Sequence, residues 1–243
     1  MRQAEHPENF NIPVNVVSLS NAQPTSNACP SHRFPNDSSV LRSKVLAWLA
    51  ENVPQSRLDH ILRVEELAIA LAEHYDLPVA KAAQAGLMHD LAKYFPTHKL
   101  LEMADREGLV LDPVDQANPH LLHAEIGAIV ARELFGIRDA QVLNAIRNHT
   151  LGHPTMDSLS CVVFLADSLE PGRGDTAELQ HLRELSRVDL AAAVWQTCDY
   201  TLRYLLAKQQ LIHPRAIATR NAFLQMAKRK PKVNRDSYRG NHA

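Results

Sequence analysis

Apolar residues recur at helical spacing along almost the whole chain between residues 39 and 229. Val64, Leu67 and Leu71 form one such stripe, while Glu65, Glu66 and Glu73 are predicted on the other face of the same helix. No stretch alternates apolar and polar residues as a half-buried strand does, and no internal repeat is found. Only 8 of the 243 residues are glycine, far below the usual share of about 7%. The sequence therefore predicts an all-α fold, a bundle of amphipathic helices.

The predicted helices follow one another with short connections. Ser38 or Ser39, and then Ser56, are predicted to cap the first two helices. Pro54 ends the first of these helices, because the residue before a proline leaves the helical region. The later helices are predicted at residues 79–92, 97–107, 121–135, 138–149, 156–169, 177–186, 188–209 and 214–229.

The two ends of the chain differ in composition from the part between them. Residues 1–38, where Asn, Ser and Pro are frequent, are predicted to be a flexible N-terminal extension. Residues 228–243 form a basic C-terminal tail, which is either a solvated terminus or a weak contact for phosphate or RNA. Residues 39–227 are long enough for one domain with a full buried core.

Charge and cysteine content narrow the class of protein. Lys and Arg total 26 against 27 Asp and Glu, so the net charge of -1 gives no strong case for a nucleic-acid partner. Cys29, Cys161 and Cys198 include no CxxC pair, which argues against a disulfide framework and favours a reducing compartment. No apolar run approaches the length of a membrane span. We expect a cytoplasmic protein without a membrane contact, and a homodimer stays open.

Six ionisable side chains fall on the apolar or small-residue faces of five predicted helices. They are His60, His89, Asp90, His123, His149 and Asp167. A single histidine on such a face is usually a satisfied core residue. Carboxylates buried without a partner, however, either become neutral or find a cation, and a metal supplies that cation. Imidazole and carboxylate ligands without thiolate suit iron, manganese, zinc or cobalt, and six ligands suffice for two metals.

The same residues form a set of motifs. His60, the His89-Asp90 pair in Ala85-Gly-Leu-Met-His-Asp-Leu-Ala-Lys93, and Asp167 in Phe164-Leu-Ala-Asp resemble the H…HD…D signature of the HD-domain metal-dependent phosphohydrolases. With His123 in Leu122-His-Ala-Glu-Ile-Gly-Ala128 and His149 in Ile146-Arg-Asn-His-Thr-Leu-Gly152, the set resembles the YqeK-type branch, the bacterial symmetrical diadenosine tetraphosphatases. The match runs from about Ser39 to Leu224. It implies an HD phosphohydrolase domain at residues 39–227. One departure is His123-Ala124, where the family usually has His-Gly.

The resemblance implies a domain that holds iron, as a di-iron centre, and hydrolyses diadenosine tetraphosphate to two ADP. Manganese, cobalt or zinc are possible substitutes. By resemblance the metal ligands and catalytic residues are His60, His89, Asp90 and Asp167, with His123 and His149 completing the second metal or contacting substrate phosphates. The other nucleotide contacts that the family implies are Arg57, Lys93, Thr150, Arg173, His213 and Asn221.

These residue types suit the implied chemistry. Hydrolysis of a phosphoanhydride at neutral pH needs a hydroxide, which metals provide by lowering the pKa of a bound water. Arginine and lysine side chains can hold the remaining phosphates, arginine in bidentate geometry and lysine as a point charge. ADP needs little protonation as it leaves, so no dedicated general acid is required.

Some alternatives stay open at this level. The chain could be an HD phosphohydrolase for another nucleotide, as a 5′-nucleotidase or a phosphodiesterase, or a non-catalytic nucleotide-binding module. His120 and His153 are weaker ligand candidates than His123. Glu170-Pro-Gly-Arg173 fits a turn that ends a helix, and Tyr94 stays open as a platform for adenine.

Overall fold

The structure is a computed structural model that describes residues 36–229, with side chains from residue 39 onward. The predicted extension lies almost wholly outside these residues, as does the basic tail apart from its first two residues, so both stay predictions. The helices are α1 Asn36–Asn52, α2 Gln55–His74, α3 Val79–Met88, α4 Thr97–Arg106, α5 Pro113–Ala117, α6 His123–Leu134, α7 Ala140–Asn148, α8 Ser158–Leu169, α9 Ala177–Leu185, α10 Leu190–Ala207 and α11 Pro214–Arg229.

The described part of the chain contains helices and no strand, so the predicted all-α fold is confirmed. Two short 3₁₀ turns, Pro119–Leu122 and Pro171–Arg173, join α5 to α6 and follow α8. Among the helices of residues 36–229, none is both long enough and apolar enough to cross a membrane.

Several predicted helix ends were wrong. α1 begins at Asn36 and Pro54 precedes α2, so the serines predicted as caps lie inside first turns. α3 ends at Met88, whereas periodicity extended it to residue 92. α5 was not predicted, because five residues show no helical period; Asp112 and Asp115 start it with a capping box.

The core lies among α2, α3, α6, α7 and α8, and small residues bring these helices close together. α2 packs against α3 and α8, and α7 packs against α6 and α8. Leu71 and Leu165 are fully buried, and each such side chain stabilises the fold by about 1.5 to 3 kcal/mol. At Gly127 in α6 a Cβ atom would lie 3.2 Å from the carbonyl oxygen of His89. Glycine therefore lets α6 approach the segment that follows α3.

α10 and α11 form a hairpin that packs on this core from one side. α10 contacts α8 and α9, and α11 packs mainly along α10. Thr219 of α11 is fully buried, and its hydroxyl donates to the carbonyl of Leu151 at 3.1 Å. The hairpin is thereby tied to the segment after α7.

Candidate metal centre

The six side chains singled out in the sequence meet in one place. They come from five parts of the core: α2, α6 and α8 provide one each, the segment after α7 provides His149, and the segment after α3 provides both His89 and Asp90. The four histidines and Asp90 are at most 5% exposed, whereas 17% of the Asp167 side chain is exposed. The cluster is therefore buried with an opening near Asp167.

One oxygen of Asp90 faces a first group of ligand atoms. Asp90 Oδ2 lies 3.4 Å from His89 Nε2 and 3.9 Å from His60 Nε2. Asp167 Oδ1 lies 3.1 Å from His60 Nε2 and 3.9 Å from His89 Nε2. The ligand atoms of His60, His89 and Asp167 lie within 4.8 Å of one another, close enough to bind one metal ion.

The other oxygen of Asp90 faces a second group. Asp90 Oδ1 lies 3.4 Å from His123 Nε2 and 3.6 Å from His149 Nε2. The two Nε2 atoms are 3.1 Å apart, and the Thr150 hydroxyl lies within 3.1 Å of both. Asp90 therefore stands between two sets of ligand atoms, with one carboxylate oxygen facing each set.

The ring orientation of all four histidines is fixed on the side away from the cluster. His89, His123 and His149 each place Nδ1 at 2.5 to 2.7 Å from the backbone carbonyl three residues earlier, and His60 places Nδ1 at 3.0 Å from the Glu170 carboxylate. Carbonyl and carboxylate oxygens only accept, so each Nδ1 carries the proton. Each Nε2 lone pair is left facing the cluster, as in metal-ligating histidines.

The arrangement of lone pairs in the cluster suits a bound cation. The Nε2 atoms of His60 and His89 are buried and have no hydrogen-bond partner. The Nε2 lone pairs of His123 and His149 face each other at 3.1 Å. Lone pairs and carboxylates that converge without a cation repel one another, and an unsatisfied buried group costs about 1 to 3 kcal/mol. The donor set of imidazoles and carboxylates matches first-row divalent metals.

The electrostatics keep His123 and Asp90 in the forms that bind metal. Burial, the neighbouring His149 and Lys93 lower the pKa of His123 to about 3, so this imidazole is neutral near pH 7. Burial raises the pKa of Asp90, but the His89 and His149 imidazoles beside its oxygens outweigh burial and hold that pKa well below its ordinary value. Asp90 is therefore an ionised carboxylate.

Three cations border the cluster. Arg57 Nη1 donates to Asp90 Oδ2 at 3.1 Å, and Lys93 Nζ lies 3.3 Å from His123 Nε2. Arg173 donates to the Oδ1 atom and the backbone carbonyl of Asp167, at 2.5 and 2.8 Å. The sequence singled out all three, and the structure brings them to the cluster.

Two further predicted contacts lie on α11 or just before it. His213 is 9% exposed and lines a pocket shared with Thr150; its Nε2 lies 3.3 Å from Asp115 Oδ2. Asn221 is exposed, and among the described residues its hydrogen bond is to Arg220 rather than to the cluster.

The weaker ligand candidates lie outside the cluster. His120 is exposed and contributes its backbone carbonyl to His123. His153 is exposed, with its ring beside Thr155. Tyr94 is 49% exposed, next to Lys93.

A pocket of about 450 Å³ adjoins the cluster at Thr150. Its wall is mainly apolar, with Leu121, Phe164 and Leu202 contributing, and Asn118 and His213 add polar groups. An apolar pocket with a few polar groups is typical of a small-molecule site.

Glu170 was not predicted to take part in the site. It is 1% exposed and contacts His60 from behind. Its spacing was a signal of proximity to the site. Glu170 follows Asp167 by three residues at the end of α8, and residues three apart lie on the same face of a helix.

Comparisons with known proteins agree with this geometry. A family model described as the HD domain matches residues 57–172. A Bacillus subtilis relative named symmetrical bis(5'-nucleosyl)-tetraphosphatase is 33% identical, covering 74% of this chain and 96% of the relative. One of the same name from Halalkalibacterium halodurans is 36% identical, covering 75% and 97%. A crystal structure from Clostridium acetobutylicum, described as a predicted HD superfamily hydrolase involved in NAD metabolism, superimposes with a TM-score of 0.73 at 36% identity, covering 76% of this chain and 97% of that one.

Proposed function

The chain belongs to the HD-domain family and, within it, to the symmetrical bis(5'-nucleosyl)-tetraphosphatases, and on that premise we propose that it hydrolyses diadenosine tetraphosphate to two ADP. The observation that carries this proposal is the cluster around Asp90, where four Nε2 lone pairs and two carboxylates converge. A metal held by such a site can activate water at neutral pH, which is what hydrolysis of a phosphoanhydride requires.

The HD domain provides a divalent-metal site, and the ligand sets on the two sides of Asp90 suggest how the site is divided. His60, His89, Asp90 and Asp167 would hold one metal, and His123 and His149 would complete a second together with Asp90. A bound divalent metal lowers the pKa of a water ligand and neutralises negative charge on phosphoryl oxygens. We propose iron, as a di-iron centre, with manganese, cobalt or zinc as substitutes.

The three cations at the cluster are the proposed phosphate contacts. Arg57 and Arg173 each border one of the two carboxylates, and Lys93 borders His123. The exposure of Arg173 and the opening beside Asp167 give an extended polyphosphate chain a way in. Arginine forks and a lysine ammonium would then hold the phosphates that flank the bond being broken. Thr150, within 3.1 Å of both His123 and His149, would orient the nearest phosphate oxygen.

The pocket beside Thr150 is the proposed site of one nucleoside of the substrate. Its volume of about 450 Å³ suits a group of that size, and its apolar wall at Leu121 and Phe164 would bury the base. Asn118 and His213 would supply hydrogen bonds. Asn221 is proposed as a contact from the exposed side of α11. His123 and His149 would act on substrate directly where they do not bind the second metal.

The remaining expectations concern where the protein acts and with what. Cys161 and Cys198 are buried free thiols, which supports a reducing compartment, and we propose the cytoplasm. The homodimer and the lack of a nucleic-acid partner stay predictions from the sequence.

The test is anaerobic purification, metal analysis and incubation with diadenosine tetraphosphate, with products assigned by chromatography. We expect stoichiometric metal and ADP as the sole product. His89→Ala should lose both metal and activity, and His120→Ala, an exposed histidine outside the cluster, should keep both. ATP plus AMP would contradict the symmetrical cut. No turnover after reconstitution with iron, manganese or cobalt would contradict the proposed substrate.

A further inference from the structure

One of the four cluster histidines differs from the others in what holds its ring. His89, His123 and His149 donate Nδ1–H to a backbone carbonyl, whereas His60 donates to a side-chain carboxylate, Glu170 Oε1, at 3.0 Å. The two partners are 110 positions apart in the chain. His60 is therefore oriented by another element of the fold, not by its own helix.

Helix geometry explains this difference. His89 and His149 follow the last residues of α3 and α7, and His123 is the first residue of α6, so nearby carbonyls are free to accept from their rings. His60 lies inside α2, where each carbonyl already accepts from the amide four residues on. A ring in the middle of a helix needs a partner from elsewhere.

Glu170 is fully engaged as that partner. It is 1% exposed, and its second oxygen, Oε2, accepts from Arg63 Nε and from the backbone amide of Gly172, each at 2.5 Å. Gly172 allows this arrangement, because a Cβ atom there would lie 2.5 Å from the Arg63 guanidinium. Each carboxylate oxygen thus has its own donors.

The turn held by Glu170 also carries Arg173. That turn, Pro171–Arg173, follows Glu170 directly, and Arg173 pairs with Asp167 at the opening of the cluster. Glu170 therefore stands between a candidate metal ligand, His60, and a candidate phosphate contact, Arg173.

We propose that Glu170 is a positioning residue that orients His60 for the metal and holds the turn that places Arg173. A carboxylate that accepts from Nδ1–H fixes the tautomer, directs the Nε2 lone pair to the metal and makes the imidazole a stronger ligand. The inference rests on the proposed metal centre. It assigns to Glu170 no contact with substrate or metal.

Glu170→Gln tests the proposal, because an amide has one acceptor oxygen and cannot accept both from His60 and from the pair Arg63 and Gly172. If the amide oxygen faces His60, its NH₂ group meets the two donors Arg63 Nε and Gly172 N; if it is reversed, His60 loses its acceptor. In the full-length, metal-free chain we expect the affinity for Co²⁺ to fall about 10- to 100-fold, measured by competition with a chromophoric chelator. The cobalt absorption bands should shift as well, since the His60 ligand changes.

Glu65→Gln is the matched control. Glu65, predicted on the outward face of α2, is in fact a buried carboxylate that accepts from an arginine, Arg42, and from none of the cluster histidines. It should lose stability while keeping the wild-type cobalt affinity and spectrum. If Glu170→Gln does not fold, Glu170→Asp keeps the charge but shortens the reach to His60, and it should show the same weakening.

The outcomes separate the two proposals. Wild-type cobalt affinity and spectrum in a folded Glu170 variant would overturn the positioning role and leave the metal centre intact. Equal weakening in Glu65→Gln would also overturn it, because the effect would then come from general destabilisation. A wild-type chain that binds no cobalt would overturn the metal centre itself.

Discussion

Two buried polar groups on the same helix, α2, have opposite surroundings. Glu65 is fully paired with Arg42, which donates to its two oxygens at 2.9 and 2.8 Å. His60, five residues earlier, keeps a buried Nε2 atom without a partner. A buried polar group that has a partner within the protein needs no further ligand. Buried groups that converge without such partners are stable only if a ligand, such as a metal ion, binds to them. The difference separates structural polar groups of this fold from those of the metal centre.

The largest expected effect is at the cluster around Asp90. Asp90→Asn keeps the shape of the side chain and removes the charge between the two ligand sets, so we expect metal to be lost. Metal ions contribute several kcal/mol to such reactions, so kcat/KM should fall at least about 10³-fold, at about 1.4 kcal/mol for each tenfold. Activity against diadenosine tetraphosphate and metal content measure this. Asp59→Asn, at an exposed position beside His60, should change neither.

An Asp90→Asn variant that kept metal and activity would show that the convergence at Asp90 is only structural. The contrast between the two regions of α2 would then have no functional meaning.

The second prediction concerns metal added to the metal-free chain. A ligand that binds only the folded state stabilises it by RT ln(1 + [L]/Kd), or about 2.7 kcal/mol at a hundredfold excess over Kd. We expect a rise of that size in the free energy of unfolding, measured with urea, because the metal completes the open ligand atoms. His89→Ala should abolish the rise. A metal-induced rise that survives in His89→Ala would place the binding elsewhere.

The third prediction concerns the pair of Glu65 and Arg42. Arg42→Met leaves Glu65 buried without its cation, and removing one partner of a buried pair costs about 3 to 5 kcal/mol. Arg42 is half exposed, so we expect about 2 kcal/mol, because solvent screens part of the interaction. Urea unfolding measures the loss, while metal affinity and kcat/KM should stay at the wild-type level. A loss of metal affinity here would mean that the two regions are not independent.

The sequence predicted most helices and the cluster, and both follow from one local signal. A histidine or aspartate on the apolar stripe of an amphipathic helix must point inward, whatever the topology, so His60, His123 and Asp167 could be placed without knowing their neighbours. Helix ends were less accessible. α3 ends at Met88. The carbonyl of Gly86 accepts from His89 Nδ1 at 2.7 Å, and this hydrogen bond competes with the backbone bond that would continue the helix.

The role proposed for Glu170 could not have been predicted in this way. Its partner His60 is 110 residues away, and only the packing of α2 against α8 brings them together. In the sequence, Glu170 followed by proline and glycine is typical of a helix end, which it also is. Periodicity shows which side chains point inward, but it does not show which of them meet.

The smallest expected effect is at an ion pair near the surface. Asp139 is the N-cap residue of α7, the helix that ends before His149. It accepts from the amides of Gln141 and Val142 and pairs with Lys81 at 2.7 Å. Asp139→Asn keeps a good helix cap and removes the charge. We expect a loss below about 0.5 kcal/mol, because exposed pairs contribute little, and unchanged metal affinity. Asp139→Ala, which also removes the cap, should lose about 1 kcal/mol.

The pH dependence gives this last prediction its sign. The hydrogen bond from Lys81 lowers the pKa of Asp139 below its ordinary value of 3.8. A carboxyl whose pKa is lower in the folded state stabilises the fold above its unfolded pKa, and that contribution is lost as pH falls through the folded pKa. The small difference between wild type and Asp139→Asn should therefore be present at pH 7, shrink as the pH falls below the unfolded pKa, and vanish once the pH is below the folded pKa. A difference that persisted there in urea unfolding would have to come from the cap and not from the charge.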